Sequence, residues 1–201
     1  MPKKIAVLAS HTGTVLQAIV DACADDRLPA EVCLIISNNS QSGAAQRAGR
    51  HGISFRHLSG QTHPEPAALD SAILSALIEH GAELVFLAGY MKKLGARTLA
   101  HFRGRILNTH PSLLPKFGGH GMYGARVHAA VLAAGDVLSG VSVHRVEGEY
   151  DTGRVVAQCE VPVLPGDDAQ SLSERVQARE RELVVETLAR IARGELVLAA
   201  T

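Results

Sequence analysis

Residues 4–36 decide the fold. Lys4-Ile5-Ala6-Val7-Leu8-Ala9 is an apolar run behind one lysine, Gly13 to Ala24 carries Leu16, Ile19 and Val20 on one helical side, and Val32-Cys33-Leu34-Ile35-Ile36 is apolar at every position. A strand apolar throughout is covered on both faces, whereas a half-exposed strand would alternate. Strand, helix, strand in this order is a crossover unit, so the two strands lie parallel with the helix across one face.

Working outward, the same alternation of periods continues. Ala44 to Arg50 reads as a short helix stopped by Gly52, and Ser54 to Leu58 as a third strand. Pro66 to His80 reads as a helix with Leu69, Ile73, Leu77 and Ile78 as its apolar stripe and Gly81 at its end. Glu83 to Ala88 and Arg105 to Asn108 supply strands four and five. The second half changes character: Gly140 to Val146 and Val155 to Val163 alternate apolar and polar, joined near Glu149-Tyr150-Asp151-Thr152-Gly153, which predicts antiparallel additions to the sheet. A helix over Ser171 to Ala192 follows. The expected architecture is α/β, a Rossmann-like three-layer sandwich, mostly parallel with antiparallel strands in the C-terminal half, and a single domain over residues 1–201.

Composition narrows the function. Lys plus Arg and Asp plus Glu number 20 each, and aromatics are 3% with no Trp, so neither the basic field nor the stacking platforms of a nucleic-acid binder are present. No stretch approaches the ~18 apolar residues of a membrane span, and the N-terminus lacks the apolar core of a signal peptide. Cys23, Cys33 and Cys159 are odd in number and lack metal-type spacing, as expected for reduced thiols in a cytoplasmic protein. The ten histidines show no H-x-x-x-H spacing, so no metal site is expected.

In an open α/β sheet, ligands bind beyond the carboxyl ends of the parallel strands. The first such end, Ser10-His11-Thr12-Gly13-Thr14, precedes a helix whose N-terminal amides suit a phosphate; an ordinary turn capped by Thr12 or Thr14 reads equally well. With one glycine it is neither a dinucleotide fingerprint nor a P-loop. The second is Asn108-Thr109-His110-Pro111-Ser112-Leu113-Leu114-Pro115. Strand alternation points Asn108 and His110 the same way, and Pro111 keeps His110 extended. An amide beside an imidazole can steady a developing oxyanion and exchange a proton near neutral pH, although a histidine merely held in a stiff turn has the same appearance. Asp151 beside Gly153 could orient such a histidine; its proximity is not readable from spacing. Gln177 and Glu180 share one side of the last helix, where a solvated charge is the plain alternative, and His128 and His144 read as structural.

The strings Asn108 to Pro115 and Tyr150-Asp151-Thr152-Gly153, with Leu16-Gln17-Ala18-Ile19, Leu87-Ala88-Gly89-Tyr90-Met91 and Arg175-Val176-Gln177 to Glu180, resemble the 10-formyltetrahydrofolate-dependent formyltransferases along essentially the whole chain. The resemblance implies 10-formyltetrahydrofolate as formyl donor, the primary amine of glycinamide ribonucleotide as acceptor, and a place in purine biosynthesis. It implies Asn108, His110 and Asp151 as the catalytic residues, with His110 held protonated by Asp151. The pterin is implied to lie against Met91, Lys92 and Leu94 and the backbone near Tyr150 and Asp151, the phosphate on Thr12, Gly13 and Thr14, and the ribose on Gln177 and Glu180. The partners implied are these small molecules, with a monomer or homodimer.

Three departures stand out. Gly13-Thr14-Val15 replaces the family's Gly-Ser-Asn, and Pro66 stands where an Arg can join the phosphate neighbourhood. The stretch Gly118-Gly119-His120-Gly121-Met122-Tyr123-Gly124 is longer than usual and is expected to form a mobile lid; whether His11 joins the phosphate site stays open. Alternative acceptors are water, giving a deformylase, or an amino-sugar nucleotide. A tRNA acceptor would call for a further C-terminal domain and a deformylase for an N-terminal one, and neither is expected. A folate- or nucleotide-binding relative without turnover is the non-catalytic alternative.

Overall fold

The computed structural model describes residues 2–198. A seven-stranded sheet has the order β3-β2-β1-β4-β5-β6-β7. Its strands are β1 (Lys3–Leu8), β2 (Ala30–Ser37), β3 (Phe55–His57), β4 (Leu84–Leu87), β5 (Ile106–His110), β6 (Leu138–Arg145) and β7 (Val155–Pro162). Strands β1 to β5 are parallel, and β6 runs antiparallel to both its neighbours. The helices are α1 (Thr14–Ala24), α2 (Gly43–His51), α3 (Pro66–Glu79), α4 (Ala96–His101), α5 (Ala125–Ala133) and α6 (Ala169–Ala192).

Two cores flank the sheet. Ile5, Val7, Ile35, Phe86, Leu107 and Val143 face α1, α2, α5 and α6, while Ala6, Leu8, Leu34, Val85 and Ile106 face α3 and α4. Each central strand therefore buries both sets of side chains, which is why residues 5–9 are fully buried.

The sequence reading and the structure part company in four places. In α3 the buried side is Asp70, Ile73, Ala76 and Leu77, while Ile78, expected in the stripe, is 51% exposed. Asp70 is inside because it caps α4: its carboxylate accepts from the amides of Arg97 at 2.8 Å and Thr98 at 3.1 Å and from the Thr98 hydroxyl at 2.6 Å. Short α4 and α5 carry no strong stripe and had no counterpart in the sequence reading. The alternation in β6 does not leave a wet face, since Ser142 accepts from the Leu114 amide and Leu113 lies against Gly140, where a Cβ would collide with it.

Candidate active site

The order β3-β2-β1-β4 reverses direction between β1 and β4, and the loops leaving these two strands part there to form a crevice. The Ser10 amide donates to the Gly89 carbonyl at 3.2 Å, and the Met91 amide donates to the Ser10 hydroxyl at 2.9 Å, tying the two loops together. Helix α1 begins at Gly13, a left-handed residue with φ of 70° and no side-chain cap. Neither Thr12 nor Thr14 caps it, so the first-turn amides stay free for an anion.

Strand β5 ends at the same side. Asn108 pairs with His144 and His110 with Ser142 across to β6, which puts all four side chains on one face. The Asn108 amide lies 3.0 Å from His144 Nε2. His144 Nδ1 donates to the Arg145 carbonyl at 2.8 Å, and Nε2 lies within reach of both the Asn108 amide and Asp151. Asp151 sits between two imidazoles, 3.4 Å from His110 Nδ1 and 3.3 Å from His144 Nε2. Its backbone is left-handed, with φ of 56°, a conformation Asp tolerates better than most residues. The Gly119 amide donates to its carboxylate at 2.9 Å. Gly118 has no room for a Cβ, which would run into Leu114 and press on Asp151, so the glycine-rich stretch meets the site at Asp151.

His110 is 4% exposed and bonds through Nε2 to the Phe117 carbonyl at 2.7 Å. Burial drives its pKa down; the Asp151 charge and the Phe117 carbonyl oppose this, His144 adds to it, and the value ends below the ordinary one. Desolvation thus works against the protonated His110 that the resemblance implies, while Asp151 works for it. With Nε2–H donated to Phe117, Nδ1 is the ring nitrogen that faces Asp151. Burial pushes the Asp151 carboxyl up, but the His144 hydrogen bond, the His110 charge and the Gly119 amide outweigh it and hold it below its usual range.

The remaining expected residues surround this cluster unevenly. Met91 and Tyr150 are exposed beside it, at 36% and 40%, and Lys92 is exposed, whereas Leu94 is buried in the core with Tyr90 and Phe102. A ligand contact at Leu94 therefore falls to its backbone. On α6, Gln177 is exposed and donates to Ser173 at 3.0 Å. Burial raises the Glu180 carboxyl, with the Thr109 hydroxyl and the Arg181 charge opposing. Arg179, its other neighbour in sequence, is taken by Glu182 and Glu186. His144, read from the sequence as structural, is the residue that lies against both Asn108 and Asp151. The signal that finds it is the β5–β6 register, which exists only once the strands are paired.

A doubly wound sheet with amide, imidazole and carboxylate converging at the end of β5, one strand from its switch point, defines a ligand-binding α/β enzyme fold with a site suited to proton transfer at a carbonyl carbon. The sequence profile of formyl transferases matches residues 3–188, and the chain belongs to that family. It is 38% identical over 190 residues to the chloroplastic phosphoribosylglycinamide formyltransferase of Arabidopsis thaliana, covering 94% of this chain and 65% of that protein. It is 40% identical over 192 residues to the phosphoribosylglycinamide formyltransferase of Mycobacterium tuberculosis, covering 95% of this chain and 86% of that one. The crystal structure of glycinamide ribonucleotide transformylase 1 from Symbiobacterium toebii superimposes with a TM-score of 0.90 at 37% identity, over 98% of this chain and 90% of that one.

Proposed function

We propose that this chain transfers the formyl group of 10-formyltetrahydrofolate to the primary amine of glycinamide ribonucleotide, a step of purine biosynthesis. The observation that carries the chemistry is the meeting of His110 and Asp151 at 3.4 Å beside Asn108. The names of the mycobacterial and Symbiobacterium relatives support the acceptor. The exposed Met91 and Tyr150 suit the flat heterocycle of the donor, which supplies the activated formyl carbon.

In this reading neutral His110 takes the proton released as the amine attacks, at Nδ1, where Asp151 stabilises the resulting imidazolium. The charge developing on the formyl oxygen is met by an Asn108 N–H and by the newly charged ring. His144 fixes the Asn108 amide so that its other N–H is free for the formyl oxygen. His110 then returns the proton to the departing folate nitrogen, so no covalent enzyme intermediate is required. Glu180 accepts from the ribose hydroxyls, and the free amides at Gly13 and Thr14 hold the phosphate.

The test is an absorbance assay of 10-formylfolate donor consumption with and without glycinamide ribonucleotide. Acceptor-dependent turnover is expected, and Asn108→Ala should lower it by roughly two to three decades, the worth of one oxyanion donor. Donor consumption that proceeds equally without amine would make the chain a deformylase. Absence of turnover under both conditions would leave a binding protein.

A further inference from the structure

The first loop carries no lysine or arginine of its own. Val15 is buried and apolar, and Pro66 opens α3, so neither offers the charge that a phosphate dianion calls for. Next to that loop lies a cavity of about 430 Å³, walled by His11 and Thr12 on one side and by Ser42, Gly43, Arg47 and Arg50 of the α2 region on the other. No carboxylate is among its lining residues. In a chain with equal numbers of acidic and basic residues, two guanidinium groups facing one space without an anion are a local imbalance.

Arg47 is held in place rather than waving in solvent. Its Nε donates to the Thr12 carbonyl at 3.0 Å, and its Nη1 donates to the Gln17 side chain. Both acceptors are neutral, so the charge is left unanswered and Nη2 has no acceptor among the described residues. The contact is close because two glycines permit it. A Cβ at Gly43 would collide with the Thr12 backbone, and one at Gly13 would sit 3.4 Å from the Ala44 backbone and 3.5 Å from Arg47 Cδ. The Ala44 amide also donates to the His11 carbonyl at 3.3 Å. The guanidinium is thereby fixed beside the uncapped first turn of α1. Arg50, one turn further along α2 and exposed, makes no hydrogen bond or ion pair among the described residues.

We infer that Arg47 and Arg50 form a cationic subsite for a phosphate monoester, taking over from α2 the charge that the first loop and α3 do not supply. This deepens the proposed function, on which the identity of the monoester as the acceptor's phosphate rests. Arg47 contributes a fixed, charge-assisted hydrogen bond and Arg50 a solvent-screened attraction, so their weights differ.

The test is titration calorimetry of the full chain with ribose 5-phosphate and with ribose, followed by steady-state kinetics with glycinamide ribonucleotide. Arg47→Gln should weaken ribose 5-phosphate by about ten- to a hundredfold, and Arg50→Gln by about two- to fivefold, with ribose binding unaltered by either. The acceptor KM should rise in the same order while kcat and the donor KM hold, and Arg47→Lys should recover part of the loss. Arg47→Gln also removes the tether to Thr12. Arg50→Gln breaks no contact, so its effect reports charge alone. Unchanged ribose 5-phosphate affinity in both glutamine variants would overturn the subsite. Arginine-dependent binding without formylation of glycinamide ribonucleotide would uphold the subsite and remove the acceptor assignment.

Discussion

Asp151 serves two imidazoles with one carboxylate, and its two neighbours bias His110 in opposite directions. The Asp151 charge raises the His110 pKa and the nearby His144 lowers it, both acting on a ring that burial has already pushed below 6.5. A base that must be neutral gives kcat/KM an acid limb at its free-enzyme pKa, so the limb should lie below pH 6.5 in the parent protein. In Asp151→Asn the limb should move further down, because the stabilising charge is gone, and the plateau should fall about a hundredfold or more as the imidazolium loses its partner. In His144→Gln it should move up, with a smaller plateau loss of roughly tenfold from a loosened Asn108. Stopped-time assays from pH 4.5 to 8 measure both limbs. Shifts in the same direction in the two variants would contradict the assignment of roles. Asn108, His110 and Asp151 were legible in the sequence as motif positions. His144 was not, because nothing in Val143-His144-Arg145 tells which strand it will face or in what register.

At the scale of elements, what the sequence made plain was the central sheet, where burial on both faces leaves no polar position to blur the pattern. What it hid was held by side chains rather than by periodicity. Helix α4 has six residues and no stripe, and it is started by a carboxylate 26 positions upstream of its first residue, Asp70 reaching Arg97 and Thr98. Gly95 is required there, since a Cβ would collide with the Asp70 side chain. Asp70→Ala removes a buried cap, leaving two amides without an acceptor and the Thr98 hydroxyl with the residue-70 carbonyl alone, which should cost about 2–4 kcal/mol. For a chain of this size that is a fall of roughly 5–15 °C in Tm by calorimetry, and a loss under about 2 °C would show that α4 holds without its cap. The Asp loop depends on a glycine in the same way: at Gly153 a Cβ would collide with the Arg145 carbonyl. Gly153→Ala should displace the loop and lower turnover at least as much as Asp151→Asn does, while donor-independent binding of ribose 5-phosphate, on the far side of the crevice, stays.

For the molecule as a whole, the crevice is assembled by burying groups that would rather be charged, and the acid stability of the fold records this. Burial lowers the pKa of both His110 and His128, aided in the first by His144 and in the second by His110. The unfolded chain protonates both near pH 6.5 and the folded chain only at lower pH. Between those limits the unfolded state binds up to two extra protons, so stability falls as the pH drops, by about 1.4 kcal/mol per proton per pH unit. Glu180 acts in the opposite sense: its carboxyl is raised above 4.5, so the folded chain binds that proton first and regains stability as the pH falls from the folded value toward 4.5. Asp151, Asp167 and Asp168 are held below 3.8, and their contributions persist above that value and vanish as the pH falls through their folded values. The expected Tm profile is flat between pH 7 and 8, declines from about 6.5, eases where Glu180 takes its proton, and collapses below about 4. His128→Gln should make the first decline shallower, because one of the two buried rings is gone, whatever uniform offset the substitution itself adds. Thermal melts at half-unit steps from pH 8 to 3 decide it: parent and variant curves that run parallel between pH 6.5 and 5 would mean that His128 is not a neutral buried ring, and that His110 alone carries the acid sensitivity of the fold.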